Sequence, residues 1–220
     1  SGGGPPWRPL PGVPLPSRCR LPAATVIRRR RSAQAYDAGT PIPLDDFVRI
    51  LDATLPRAGI PPLDAIPWEP RVHFFLFVHR VTGLPAGIYA FLRRPGAEEG
   101  LRAAARRDFA WIRPENLPKG FPLFLLIEGD VQQAAEAVSC GQQIAADGAF
   151  SLGMVAEFDA ALAGGPWGYP RLYLEAGAAG QVLYLEAEAA GFRGTGIGCY
   201  FDDLFHGLLG LRGTAYQSVY

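Results

Sequence analysis

The sequence predicts one domain that mixes helices and strands, on three observations. Residues 72–78, VHFFLFV, are apolar but for one histidine and read as a strand buried on both faces, followed by a turn and a second apolar run. Residues 171–190 carry an alanine-rich apolar pattern too long for a strand. The chain has 220 residues, 49 % of them hydrophobic and 19 % charged. That is enough for one core, not comfortably for two, and too apolar for a disordered chain.

The elements follow in order. Residues 1–20, rich in proline and glycine, resist helix and sheet and read as an extended linker. Residues 21–220 form the folded domain, which opens on the basic run Arg28 to Arg31. Leu44, Phe47, Val48, Leu51 and Leu55 lie on one helical face, with Asp45 and Asp46 in the favoured first turn and Pro56 as the stop. A proline-rich loop with Pro61, Pro62, Pro67 and Pro70 leads to the strand Val72–Val78. The turn Thr82 to Gly87 and the strand Ile88–Leu92 complete a hairpin.

A polar helix is expected around Leu101–Phe109, an extended segment at Pro122–Glu128 and a helix at Val131–Gln143. Phe150–Phe158 reads as a strand with Phe150, Leu152, Met154, Ala156 and Phe158 on one side; a helix is the alternative. The long helix Arg171–Ala190 is apolar on more than one face, so it is placed centrally, beside a dimer or pseudo-dimer interface. Ala176, Ala179 and Gly180 should allow close approach there. A glycine-rich loop, Gly191 to Gly198, follows it. A helix runs from Asp202 to about Gly210, and Tyr216–Tyr220 begins a strand.

Composition excludes several classes. Lys+Arg and Asp+Glu each total 21, so the basic excess of a nucleic-acid binder is missing. No stretch approaches the ~20 apolar residues that cross a bilayer. Cys19, Cys140 and Cys199 are odd in number and show no CxxC spacing, which points away from a disulfide framework or zinc site and towards a reducing cytoplasm.

Catalytic signatures are sparse. GxSxG, HExxH and GxxxxGK[ST] are absent. His73 and His79 lie about 20 Å apart along an extended strand, too far for one metal, so each reads as a strand-end or core histidine with a hydrogen-bond partner. Asp202-Asp203 reads as a helix N-cap and its neighbour, and Cys199 as a packed thiol. No metal ligands and no catalytic residue emerge, so any demanding chemistry would come from a cofactor.

Two elements remain. Arg30-Arg31-Ser32 offers forked guanidinium donors and a hydroxyl suited to phosphate, though a solvated basic run is the plainer reading. Gly194-Thr195-Gly196-Ile197-Gly198 lets backbone N–H groups approach a ligand; it follows a helix, so it is not a Rossmann loop. Taken in order, these elements resemble the nitroreductase family of FMN-dependent oxidoreductases. Arg30, Arg31, Ser32 and Tyr36 are similar to its flavin-binding start, and EAGAAGQVLYLEAEAAGFRGTGIGCYFDD to its central helix and flavin loop. The segment RVHFFLFVHRVTGLPAGIYAF resembles the branch with thiazoline/oxazoline dehydrogenases.

The resemblance implies an α+β fold with a central, mostly antiparallel sheet flanked by helices. It implies a homodimer, or a tandem pseudo-dimer of which this chain is one half or a piece cut short at its C-terminus. FMN would be the cofactor, NAD(P)H the transient reductant and a small molecule or peptide the acceptor, with neither nucleic acid nor membrane as partner. Arg30, Arg31 and Ser32 would meet FMN phosphate, ribityl or ring edge, with Gln34 where the family carries Arg or Lys. Gly196, Ile197 and Gly198 would lie along the ring, and at least one glycine of the loop Gly194 to Cys199 would take a positive φ. In place of the family's Ser/Asn loop stands Ile66-Pro67-Trp68-Glu69-Pro70. The alternative is a non-catalytic half kept for pairing.

Overall fold

The computed structural model describes residue 10 and residues 12–220. Most of the first half of the Pro/Gly-rich segment thus lies outside the described residues. Its second half runs without regular structure beside α2 (Leu44–Asp52), tied by the Leu15 N–H to the Asp52 carboxylate over 2.8 Å.

Five strands make one antiparallel sheet in the order β3-β2-β1-β4-β5. They are β1 (Val72–Val78), β2 (Gly87–Phe91), β3 (Leu123–Glu128), β4 (Phe150–Glu157) and β5 (Tyr216–Ser218). The expected hairpin is β1–β2, with Phe74 opposite Phe91 and Val78 opposite Gly87. β4 is a strand, not a helix, because every residue of β1 finds a partner in it, from Val72 opposite Ala156 to Val78 opposite Phe150.

Side-chain alternation sends β1 to two cores. Phe74, Leu76 and Val78 pack with Phe91, Met154 and Ala156 beneath α2 and α7 (Gly168–Ala189). Phe75 and Phe77 face the other side. That side is covered by α3 (Ala97–Ala104), α4 (Gln132–Val138), α5 (Ile144–Asp147) and α8 (Asp202–Leu209). The remaining α-helices are α1 (Ala23–Arg29), against α7, and the short α6 (Phe158–Leu162). Neither is foreseen in the sequence reading.

Three boundaries differ from expectation for physical reasons. The helix expected at 101–109 is α3, which ends at Ala104; the chain then extends so that Phe109 and Trp111 reach the sheet and the Ala110 N–H finds the Leu126 carbonyl. The helix expected at 131–143 breaks after Val138, because Cys140 takes φ 57°. The long helix starts at Gly168; Pro170 fits in its first turn, where a missing N–H costs nothing.

A buried charge network fixes α7 to the sheet. Arg93 and Glu175, each 1 % exposed, pair over 2.6 Å. Glu175 also accepts the N–H groups of Arg71 and Val72, and Arg93 donates to the carbonyls of Thr54 and Val72. The Arg93 N–H donates to His73 Nδ1, so the ring proton sits on Nε2 and donates to Glu157 over 3.0 Å. His73 is therefore a neutral core histidine with partners. Burial pushes the Glu157 carboxyl up, but hydrogen bonds from His73 and Arg94 outweigh it and hold it at about 2.

Candidate functional site

Beside this network's helix, on the other half of α7, the chain encloses a cavity of about 530 Å³. One wall is β4, from Phe150 to Met154. The opposite wall is α7, through Gly180, Leu183, Tyr184 and Ala187. The loop from Gly191 to Ile197 and Tyr200 forms the third side, Tyr36, Asp37 and Thr40 the rim, and Tyr220 closes one end. At the base, Phe205 lies against Gly153; any Cβ there would press into its ring, 2.5 Å from Cζ, so a glycine is required.

The chemistry of this lining is narrow. Its charged residues are Asp37, Asp147 and Arg193, and among the described residues no His, Cys, Lys or Glu lines it. No nucleophile and base face each other across it, and no group of three metal-ligating side chains occurs among the described residues. What it offers is hydroxyls. Burial raises the pKa of the Tyr36, Tyr200 and Tyr220 phenols, which stay protonated donors at neutral pH. Ser151 lines the cavity, and its hydroxyl is buried without a hydrogen-bond partner. A buried polar atom without a partner is costly, and a ligand edge would satisfy it. Apolar side chains on β4 and α7, the open position at Gly180 and hydroxyls at the edge fit a planar heteroaromatic ring.

The sequence-selected residues divide into two groups. Gly196 and Ile197 line the cavity, whereas Arg30, Arg31, Ser32, Gln34 and Gly198 do not. Arg30 stacks over the Tyr184 ring, its guanidinium carbon 4.9 Å from the centroid. Arg31 donates to the carbonyls of Arg28 and Arg30 over 3.0 and 2.8 Å. Ser32 meets the Tyr184 hydroxyl, and Gln34 is exposed. The two motifs nevertheless run side by side: the Ala33 N–H donates to the Gly194 carbonyl, and the Thr195 hydroxyl donates to the Ala33 carbonyl over 2.6 Å.

Several expectations are corrected. None of Gly194, Gly196 and Gly198 takes a positive φ. Gly196 is needed for space instead, because a Cβ would collide with the Tyr220 hydroxyl, and Gly198 has open space around it. The Gly196 N–H is spent on the Tyr184 hydroxyl. Ala176 and Ala179 pack against the chain's own sheet and Gly180 opens on the cavity, so these small residues do not form an outward-facing contact. The large hydrophobic residues that α7 leaves exposed are Tyr169, Tyr173 and Leu174. Phe201 is the N-cap of α8; Asp202 and Asp203 occupy its first turn, where Asp202 accepts the Ser218 hydroxyl. Cys199 is no packed thiol: it is disulfide-bonded to Cys140, 59 residues away. The proline-rich loop stays clear of the cavity; Trp68 lies under Arg171 and Glu69 pairs with Arg71. Tyr184, Phe205 and Tyr220 escaped the sequence reading because each gains its role from a partner distant in sequence, and Ser151 because only its place on β4 brings it to the cavity.

No family model matches the sequence, and no curated protein matches it either. Solved structures do. A protein assigned as a nitroreductase from Anabaena variabilis is 22 % identical, with a TM-score of 0.66 over 89 % of this chain. This chain spans 36 % of that one. A second, from Ralstonia eutropha, is 18 % identical with a TM-score of 0.60, over 99 % of this chain and 91 % of its own. The Escherichia coli microcin synthetase complex McbBCD, with truncated pro-MccB17 bound, contains a chain 15 % identical, TM-score 0.57, matched over 93 % of this chain and 72 % of its own. The chain therefore has the nitroreductase fold, an α+β architecture. No helix among the described residues is long and apolar enough to cross a membrane.

Proposed function

We propose that the cavity takes the ring of FMN and that the protein is an FMN-dependent oxidoreductase. It would move reducing equivalents from NADH or NADPH to an electron-poor acceptor, a quinone, a nitroaromatic or a peptide azoline. The observation that carries this reading is the cavity itself: a space of about 530 Å³ on a nitroreductase fold, with apolar side chains of β4 and α7 on two sides and tyrosines at its edge. A bound FMN supplies what the lining lacks, the acceptance and return of a hydride.

The chain's own residues bind, orient and exclude water. Leu152, Met154, Leu183 and Ile197 give apolar contact to a ring. Ser151 and the protonated Tyr36, Tyr200 and Tyr220 can hydrogen-bond its polar edge. Arg30, Arg31 and Ser32 are assigned to the phosphate end, where the cavity's own lining offers one cation, Arg193. Tyr169, Tyr173 and Leu174 are assigned to pairing with a second copy or second half, because α7 leaves them exposed beside the site.

The acceptor is narrowed by what the site lacks. The chain's one lysine, Lys119, is exposed on a turn away from the cavity, so no lysine–tyrosine pair is placed to take a proton from an azoline. The McbBCD likeness supports a peptide; the lining favours quinones and nitroaromatics, which need no proton abstraction. The test is to purify the chain with FMN and follow NADH and NADPH oxidation with each acceptor class. Flavin-dependent turnover with a quinone or nitroaromatic is expected. A chain that never retains flavin would overturn the reading.

A further inference from the structure

The disulfide stands apart from everything used so far. It joins Cys140, in the turn between α4 and α5, to Cys199, at the far end of the loop that walls the cavity. The neighbours of both cysteines line that cavity: Val138, Ser139 and Ile144 on one side, Gly196, Ile197 and Tyr200 on the other. The bond therefore staples two walls of one cavity together.

The loop depends on few other ties. Residues 192–201 have no helix or strand hydrogen-bonding pattern. At the start, Gly194, Thr195 and Gly196 are held by Ala33 and Tyr184. Beyond Ile197 the further ties are the Gln142 side chain to the Cys199 carbonyl, at 3.2 Å, and the Phe201 N–H to the Val138 carbonyl, at 2.8 Å. Across the staple, Cys140 holds φ 57°, which side chains with a Cβ rarely adopt, so this turn also needs an outside restraint. Cys199 is exposed and Cys140 half-buried, which leaves one sulfur open to attack.

We propose that Cys140 and Cys199 form a redox latch: as a disulfide they hold the loop 192–201 against the α4–α5 turn, and reduction by a dithiol releases that wall of the cavity. In the step, one thiolate of the dithiol attacks Cys199 Sγ and the S–S bond breaks. Cys140 leaves as a thiolate and takes up a proton. The second thiol of the reagent then displaces Cys199, closing a cyclic disulfide in the reagent. The protein gains two electrons and two protons, and the dithiol loses them. The inference stands on the cavity walls and does not require a flavin.

The experiment uses the full chain with and without dithiothreitol. Iodoacetamide labelling followed by mass measurement should find one reactive thiol, Cys19, before reduction and three after it. Hydrogen exchange of the Phe201 amide, which donates to the Val138 carbonyl, should quicken roughly tenfold or more on reduction, while the amides of Phe74 to Leu76 stay unchanged. The double variant Cys140→Ala/Cys199→Ala should exchange like the reduced chain without any reductant. If that variant fails to fold, the reduced natural chain gives the same comparison. Three reactive thiols without reductant, or identical loop exchange in both states, would overturn the latch. Since no readout uses flavin, a colourless chain would count against the oxidoreductase reading alone.

Discussion

The Ser32 hydroxyl lies 3.1 Å from the Tyr184 hydroxyl, across 152 positions of sequence. The same phenol accepts the Gly196 N–H, and its ring carries the Arg30 guanidinium. One side chain of α7 thus ties the arginine segment to the glycine loop. Tyr184→Phe keeps the ring and removes both hydrogen bonds, leaving the Gly196 N–H without a partner. At about 1 kcal/mol for each bond, flavin affinity should fall roughly 5- to 30-fold. Fluorescence-quenching titrations check this. Equal dissociation constants would show that the hydroxyl positions nothing the ligand needs.

Arg30 and Arg31 give a second prediction. Both lie outside the cavity lining, so replacing them should leave the ring slot intact. If they meet a phosphate, Arg30→Ala/Arg31→Ala should weaken FMN by roughly 2–5 kcal/mol, the range for lost charge-assisted bonds. Riboflavin, which has no phosphate, should bind the variant and the natural chain alike. A similar loss for both ligands would assign the arginines to holding Tyr184.

Neighbouring glycines should behave oppositely. A Cβ at Gly196 would run into the Tyr220 hydroxyl, whereas at Gly198 it would meet open space. Gly196→Ala should displace Tyr220 from the cavity's end and change ligand binding; Gly198→Ala should bind as the natural chain does. Near-ultraviolet circular dichroism, which reports tyrosine packing, checks the displacement. The opposite ranking would mean that the loop lies differently against the last strand.

Much of this fold was legible in the sequence. The run Val72–Val78 and the alanine-rich stretch behind α7 declare themselves by composition and length, the first because burial on both faces leaves it almost wholly apolar. Pairing with β1 is what decides that Phe150–Glu157 is a strand, and pairing is not written in one segment. The site was half legible. Gly196 and Ile197 stand at the cavity, but the reason for glycine is a tyrosine hydroxyl at the far end of the chain, and no local pattern carries that. The Cys140–Cys199 bond was hidden for the same reason: its partners are 59 residues apart and meet only once α4 and α8 pack on the same sheet face. Leu101 announced a helix, but its end was set by the need of Phe109 and Trp111 to reach the sheet.

Acid should unfold the protein through the network beneath α7. Burial pushes His73 and His79 below their ordinary value of 6.5, so both are neutral in the fold and charge more readily when unfolded. Their contribution to stability is present above pH 6.5 and is lost as pH falls below it. Glu157, held at about 2 against an ordinary 4.5, contributes stability above pH 4.5 that is lost as pH falls towards 2. The melting temperature should therefore decline in two stages on acidification. His73→Gln should blunt the first stage. A melting temperature flat from pH 7 to below 5 would contradict the neutral, buried His73.

The central claim is that the cavity between α7 and β4 receives the flavin ring, and Gly180 offers the most direct test. A Cβ there would stand 3.8 Å from Met154 Cε, in ordinary contact, so a leucine side chain can extend into the slot without disturbing the helix backbone. The measurement is an FMN titration of the natural chain and of Gly180→Leu, followed by flavin absorbance and fluorescence, with melting curves for both. The account predicts saturation at one flavin per natural chain and a loss of about tenfold or more in affinity for the variant, at an undiminished melting temperature. A natural chain that takes up no flavin, or a stably folded variant that binds it equally well, would contradict it.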